Sequence, residues 1–137
     1  MSHHITCYDE VLTVRLDGRA SAPEVYQEVR AQLDSQSLPV VAILDLTLAS
    51  NFDQQLKSTF YRAFQHHLVA RIGICGVNAE VAKDVNDLLP VLRRVRKVVV
   101  SQTEADLLAD LGLAAPLPQQ KKLSGMLNYL KKGESAS

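Results

Sequence analysis

Asp45 is the residue that most invites a chemical reading in this chain of 137 amino acids, because it closes the apolar run Val40-Val41-Ala42-Ile43-Leu44 as a phosphoacceptor aspartate closes its strand. That chemistry needs further acids after the first strand to hold magnesium. The acids on offer, Asp9 and Glu10, fall in a hairpin turn instead. Cys75 ends the run Ile72-Gly73-Ile74-Cys75, where a thiol acts as a small hydrophobe with a raised pKa, and no base is spaced to activate it. With Cys7 far away in sequence, the two thiols make neither a disulfide framework nor a zinc cluster. His66 and His67 are neighbours, and on a helix they point about 100° apart, so they read as helix-end cations and not as a metal pair. His3 and His4 belong to a terminus, where a ligand role is remote. Gly73 and Gly76 lack the spacing and the lysine of a phosphate-cradling loop. No catalytic residue, metal ligand or cofactor is assigned.

The elements that would position these residues follow from periodicity. Ile5 to Tyr8 and the alternating Val11 to Leu16, joined by Asp9-Glu10, read as an antiparallel hairpin with one polar face. Ser21-Ala22-Pro23-Glu24 is a capping box with proline at the first helical position, and Val25, Val29 and Leu33 mark one face of a helix of about three turns. The run 40–44, closed by Asp45-Leu46-Thr47, has the continuous apolarity of a central strand covered on both faces. Asn51 through Gln54 offers a second box-like helix start, with Phe52, Leu56, Phe60, Ala63 and Phe64 as the buried stripe of a helix reaching Leu68. A strand within 69–77 follows. Asn78 caps a helix traced by Val81, Val85, Leu88 and Leu89, and Pro90 is expected to break or restart it. Val95 to Val100 is a β-branched strand, and Thr103-Glu104-Ala105-Asp106 opens a short helix ending at Gly112. The order condenses to ββαβαβα. Three helical crossovers imply parallel pairing, so the expectation is an α/β fold: one mixed, mostly parallel sheet of four to five strands with helices packed on it.

Composition agrees with one compact domain. Hydrophobic residues make up 47% and charged residues 22%, with six glycines and five prolines, which excludes low-complexity and collagen-like chains. No apolar run approaches the roughly 18 residues of a membrane span, and no basic flank precedes an apolar stretch at the start, so a cytoplasmic, non-integral protein is expected. Fifteen basic side chains balance fifteen acidic ones, but residues 1–118 hold eleven and fourteen respectively, while 119–137 hold four and one. Neither part has the positive excess that binding a phosphate backbone requires, so nucleic acid is not an expected partner. Arg93, Arg94, Arg96 and Lys97 form the densest basic cluster of the body and read as a solvated rim, or as a contact for an acidic partner or lipid headgroups. After Pro116 and Pro118, residues 119–132 place Leu123, Met126, Leu127 and Leu130 at helical spacing beside Lys121, Lys122, Lys131 and Lys132. The chain therefore divides into a domain at 1–115 and a basic amphipathic helix and tail at 116–137. That helix would dock on its own domain, on a second copy as a homodimer, or on another surface.

The run VVAILDLTLASNFD with its following helix, then RIGICGVNAEVAKDVNDLL, then VRKVVVSQTEADLLADLG, resembles the STAS and SpoIIAA-like superfamily of bacterial anti-anti-sigma factors over residues 5–112. The features that carry it are the apolar strand ending in Asp45-Leu46, the loop ending in Asp53 at a helix start, and Thr103-Glu104-Ala105 before a short helix. The resemblance implies a small non-catalytic domain that binds a protein partner, a regulator or kinase-like protein, through that loop and the first turn of the next helix. In the best-known members the acid at the position of Asp53 precedes two small hydroxyl residues and a glycine, and phosphorylation of the second hydroxyl releases the partner. Here Gln54, Gln55 and Leu56 stand in those places, and Gln55 cannot carry a phosphate. Ser50 is a nearby hydroxyl, while Ser58 and Thr59 read as ordinary helical residues. The departure favours binding by an unmodified surface, with Thr47, Ser50, Asn51, Asp53, Gln54, Gln55 and Lys57 as its residues. The rival reading is a carrier or sensor for a small molecule or lipid, held in an apolar pocket between helices and sheet.

Overall fold

The computed structural model describes residues 3–113. Its elements run β1 (His3–Tyr8), β2 (Val11–Gly18), α1 (Ala22–Asp34), β3 (Val40–Ala49), α2 (Gln54–Ala63), β4 (Val69–Cys75), α3 (Ala82–Arg93), β5 (Lys97–Ser101) and α4 (Glu104–Leu111). This is ββαβαβαβα, one helix–strand unit longer than the condensed order ββαβαβα, and it makes a five-stranded sheet in the order β1-β2-β3-β4-β5. β1 and β2 are antiparallel, and every later neighbour is parallel. The basic amphipathic segment and the boundary at 115 lie outside the described residues.

Sequential strand order has a consequence for layering. Each crossover moves one place in the same direction, and crossovers of one hand put their helices on one side of the sheet. α1, α2 and α3 therefore share a face, over Leu12, Val14, Leu16, Ala42, Leu44, Leu46, Ile72 and Ile74, with Phe52, Phe60 and Phe64 among the largest buried side chains. Phe60 stacks on Phe52 at 5.8 Å and tilts against Phe64 at 5.3 Å. Of the described elements, α4 alone reaches the other face, where Leu107, Leu108 and Leu111 meet Val41, Ile43 and Cys75. It packs so closely that a Cβ added to Gly73 would sit 2.9 Å from a Leu107 methyl. The β3 run is apolar without alternation because both of its faces are covered.

Several local expectations are corrected. Ser21 precedes α1 but makes no side-chain cap bond, and Ala22 takes the first helical position ahead of Pro23, so the capping box does not close. α2 starts after Asp53, not Asn51, and ends at Ala63 instead of reaching Leu68. Pro90 neither breaks nor restarts α3, which runs through it to Arg93. Proline removes a single backbone donor, and the packing of Val85, Leu88 and Leu92 into the core outweighs that loss.

His66 and His67 lie past the end of α2, so the 100° helical separation does not apply to them. Their rings stack 4.6 Å apart. His66 Nδ1 accepts from the Leu68 N–H, which leaves Nε2 to donate to Asp34 at 2.9 Å. That hydrogen bond lowers the Asp34 pKa. Arg96 also departs from a solvated rim: its guanidinium donates to the carbonyls of Gln65, His66, Val69 and Val95, pinning the α2–β4 turn. Arg93, Arg94 and Lys97 remain exposed.

Candidate functional site

Parallel α/β sheets leave a crevice beyond the carboxyl ends of their strands, where loops and helix N-termini meet. Here that region is formed by residues 47–53, of which 47–49 are the end of β3 and only 50–53 the loop before α2, and by the segments that hold them. Asp53 caps α2, its Oδ1 accepting from the Leu56 N–H at 3.0 Å. Asn51 does a different job: its Oδ1 accepts from the Ala20 N–H at 3.3 Å, while the Ser50 N–H donates to Gly18 O at 2.9 Å, tying the loop to the end of β2. From the other side, Asn78 Nδ2 donates to Leu46 O at 3.1 Å and Ala49 O at 2.9 Å, and its Oδ1 accepts from the N–H groups of Glu80 and Val81. Asn78 is thus a clamp between two loops as well as a turn former before α3. Phe52, buried against Phe60, anchors the middle of the segment.

Gly76 completes the cradle. Its φ is +71°, and a Cβ there would lie 2.1 Å from Thr47 Oγ1 and 2.6 Å from Thr47 N, so only glycine allows the β4–α3 loop to press on the end of β3. The sequence excludes Gly76 from a phosphate-cradling loop but does not say what it does. Its actual role, close backbone approach, has no signature in the local sequence.

Asp45 is buried beneath Thr47. One carboxylate oxygen accepts from the Thr47 N–H at 3.0 Å and the Thr47 hydroxyl at 2.7 Å, and the other accepts from Arg15 Nε at 3.1 Å. Arg15 also reaches Glu104 at 3.8 Å. Fully engaged and covered, Asp45 holds a turn in place. Cys75 is its neighbour across the β3–β4 register. Burial first, then the nearby Asp45 and Glu104 charges, push the Cys75 thiol up to about 12, which keeps it protonated and unreactive. Among the described residues, no group of three or more His, Cys, Asp or Glu side chains is placed to hold a metal ion.

The seven candidate residues divide by exposure. Thr47, Ser50, Asp53, Gln54 and Gln55 are exposed, Asn51 is half-buried, and between them Leu48 presents an apolar side chain that is 56% exposed. Leu48 is not among the seven; it belongs to β3, and its outward orientation at the end of that strand singles it out. Lys57 faces α3 instead. Its ammonium lies 3.1 Å from Asp84 and 3.6 Å from Asp87, the side chain is 14% exposed, and the hydrogen bond it donates to Asp84 raises its pKa. Gln54, Gln55, Ser58 and Arg62 of α2 also line a groove of about 430 Å³ with Pro23 and Tyr26 of α1. It lies between the two helices, whereas the pocket expected of a carrier lay between helices and sheet.

No family model matches the sequence. No curated protein matches it at a significant level. Among solved structures, an anti-sigma factor antagonist from Mycobacterium paratuberculosis superposes with a TM-score of 0.60 at 15% identity, over 79% of this chain and 91% of that one. The chain therefore has the fold of that antagonist, the STAS-like architecture that the sequence resembles. Among the described residues, no helix is long and apolar enough to cross a membrane.

Proposed function

We propose that the chain is a non-catalytic regulatory module that binds a protein partner through the exposed edge formed by Thr47, Leu48, Ser50, Asp53, Gln54 and Gln55. The observation that carries this reading is a loop held from both sides by Gly18, Ala20 and Asn78, yet offering an exposed leucine beside uncharged polar groups. A loop already ordered before contact loses little conformational entropy on binding, and an exposed apolar side chain ringed by polar ones suits a modest interface. Asn51, Lys57 and Asp45 act beneath it as supports. With Gln55 where a phosphorylatable residue would stand, control comes from competition among partners or from ligand occupancy. The similarity in fold to an anti-sigma factor antagonist makes an anti-sigma factor the first partner class to test.

The test is calorimetric titration of the full chain against the anti-sigma factors of its source organism. Binding is expected, and it falls at least about tenfold, or about 1.4 kcal/mol, in Leu48→Glu and in Gln55→Arg with the unfolding midpoint unchanged. Absence of binding, or binding indifferent to both substitutions, overturns the proposal. The α1–α2 groove supports a second reading, a small-ligand sensor. Native mass spectrometry of the gently purified chain would show a retained small-molecule mass in that case and a clean apo mass otherwise.

A further inference from the structure

Among the described residues, the second face of the sheet is only partly covered. α4 lies over β3, β4 and β5, and the core it makes is rimmed by Val11, Val99 and Leu113, all only half-buried. Beyond Val11 the outward side chains of β1 and β2 are His4, Thr6, Tyr8, Thr13, Arg15 and Asp17, and Tyr8 is 53% exposed. Alternating Thr, Tyr and Val suits a face that will be covered.

Where the described chain stops bears on what covers it. Arg71 NH1 holds Leu111 O at 3.0 Å, and Arg71 stands in the same row of the sheet as Val41 and Val11. The last turn of α4 and Leu113 therefore lie at the Val11 end, beside the Asp9–Glu10 turn, where the open surface begins. Twenty-four residues follow Leu113. Within them, residues 119–132 carry Leu123, Met126, Leu127 and Leu130 at helical spacing, flanked by four lysines. As a helix, the twelve residues from 121 to 132 would measure about 18 Å; six residue steps along β2 from Val11 to Asp17 measure about 20 Å. The acids on this side are Asp9, Glu10, Asp17, Glu104, Asp106 and Asp110; of the bases, Arg15 is committed to Asp45 and Glu104 and Arg71 to Leu111 O, which leaves Lys97 exposed against six acids.

We propose that the chain's own segment 119–132 covers the open β1–β2 face, its leucines on Tyr8, Val11 and Thr13 and its lysines toward the acids at the rim. The domain so completed has helices on both faces. The second core then runs from α4 across to β1, and its far end reaches Asp17, the cross-strand neighbour of Leu48.

Hydrogen exchange of the full-length chain, read by mass spectrometry, tests this from both sides. Leu127→Glu is expected to speed exchange in peptides covering residues 3–17 by about fivefold or more, leaving α1 and α2 unchanged. Thr13→Lys, an exposed-face substitution compatible with the hairpin, is expected to speed exchange in peptides covering 119–132 to a similar degree. The proposal is overturned if neither variant has an effect, or if Leu127→Glu loosens the α1–α2 groove instead. It is also overturned if protection of 119–132 appears only with vesicles of anionic phospholipid, or vanishes on dilution as the mass halves, which would make a second copy the occupant.

Discussion

The face of the sheet beneath α1, α2 and α3 buries eleven strand residues and three phenylalanines in a continuous apolar layer, whereas the face beneath α4 buries Val41, Ile43 and Cys75 and then gives way to Arg15, Asp45 and Thr47. The first layer resembles the interior of any α/β domain, where stability scales with apolar area. The second is a small core joined to a polar network, and that network braces the turn from which the exposed edge projects. The cohesion of the domain and the shape of its candidate interface are therefore controlled from opposite sides of one sheet.

Truncation should expose this division most sharply. Phe60→Ala, at the centre of the aromatic stack, is expected to cost about 4 kcal/mol, and Leu107→Ala on the α4 face about 2–3 kcal/mol, both by denaturant titration. Equal losses would mean that the two cores contribute alike. Gly76→Ala forces a Cβ into the Thr47 backbone at a positive φ and should cost about 2 kcal/mol or more, with chemical-shift changes concentrated at residues 45–53. Changes spread over α1 to α3 instead would break the separation of the two sides. Asp53→Ala removes one helix cap and should cost about 1 kcal/mol, leaving the β3–α2 loop otherwise in place.

The smallest effect at neutral pH is at Cys75, where alanine should be near-silent. The folded chain keeps this thiol protonated up to about 12, while the unfolded chain releases its proton near the ordinary value of 9.0. Stability from this group is therefore present below pH 9.0 and is lost as pH rises from there toward 12. Cys75→Ala should flatten that part of the alkaline stability profile; an unchanged profile would show that the thiol does not sense the α4-side network.

Most of the architecture was legible because it depends on local rules. The apolar run at 40–44, the alternation at 11–16 and the α4 boundaries at Thr103 and Gly112 are set by periodicity and capping chemistry, and all appear where those rules place them. Where the local rules were ambiguous, packing chose. Asn51 and Asp53 are both good caps, and the one free of the Ala20 N–H became the cap. Pro90 sits in a helix because its neighbours are buried.

The candidate site was legible only in part, and the reason is range. Ser50, Asp53, Gln54 and Gln55 follow a strand end and so could be placed at the carboxyl edge of the sheet from sequence. The Lys57 contacts with Asp84 and Asp87, the Asn78 clamp, the fit of Gly76 against Thr47 and the carbonyls of Gln65, His66 and Val69 gathered by Arg96 join residues some thirty positions apart. No periodicity encodes such pairs. Sequence alone determined which segments become strands and helices and that no catalytic constellation is spaced within one of them, because those properties reside in runs of neighbouring residues. Which side chains are spent on holding the loop, and which, like Leu48, are left facing water, was decided by the tertiary structure, because exposure and partnership exist only once distant segments have packed.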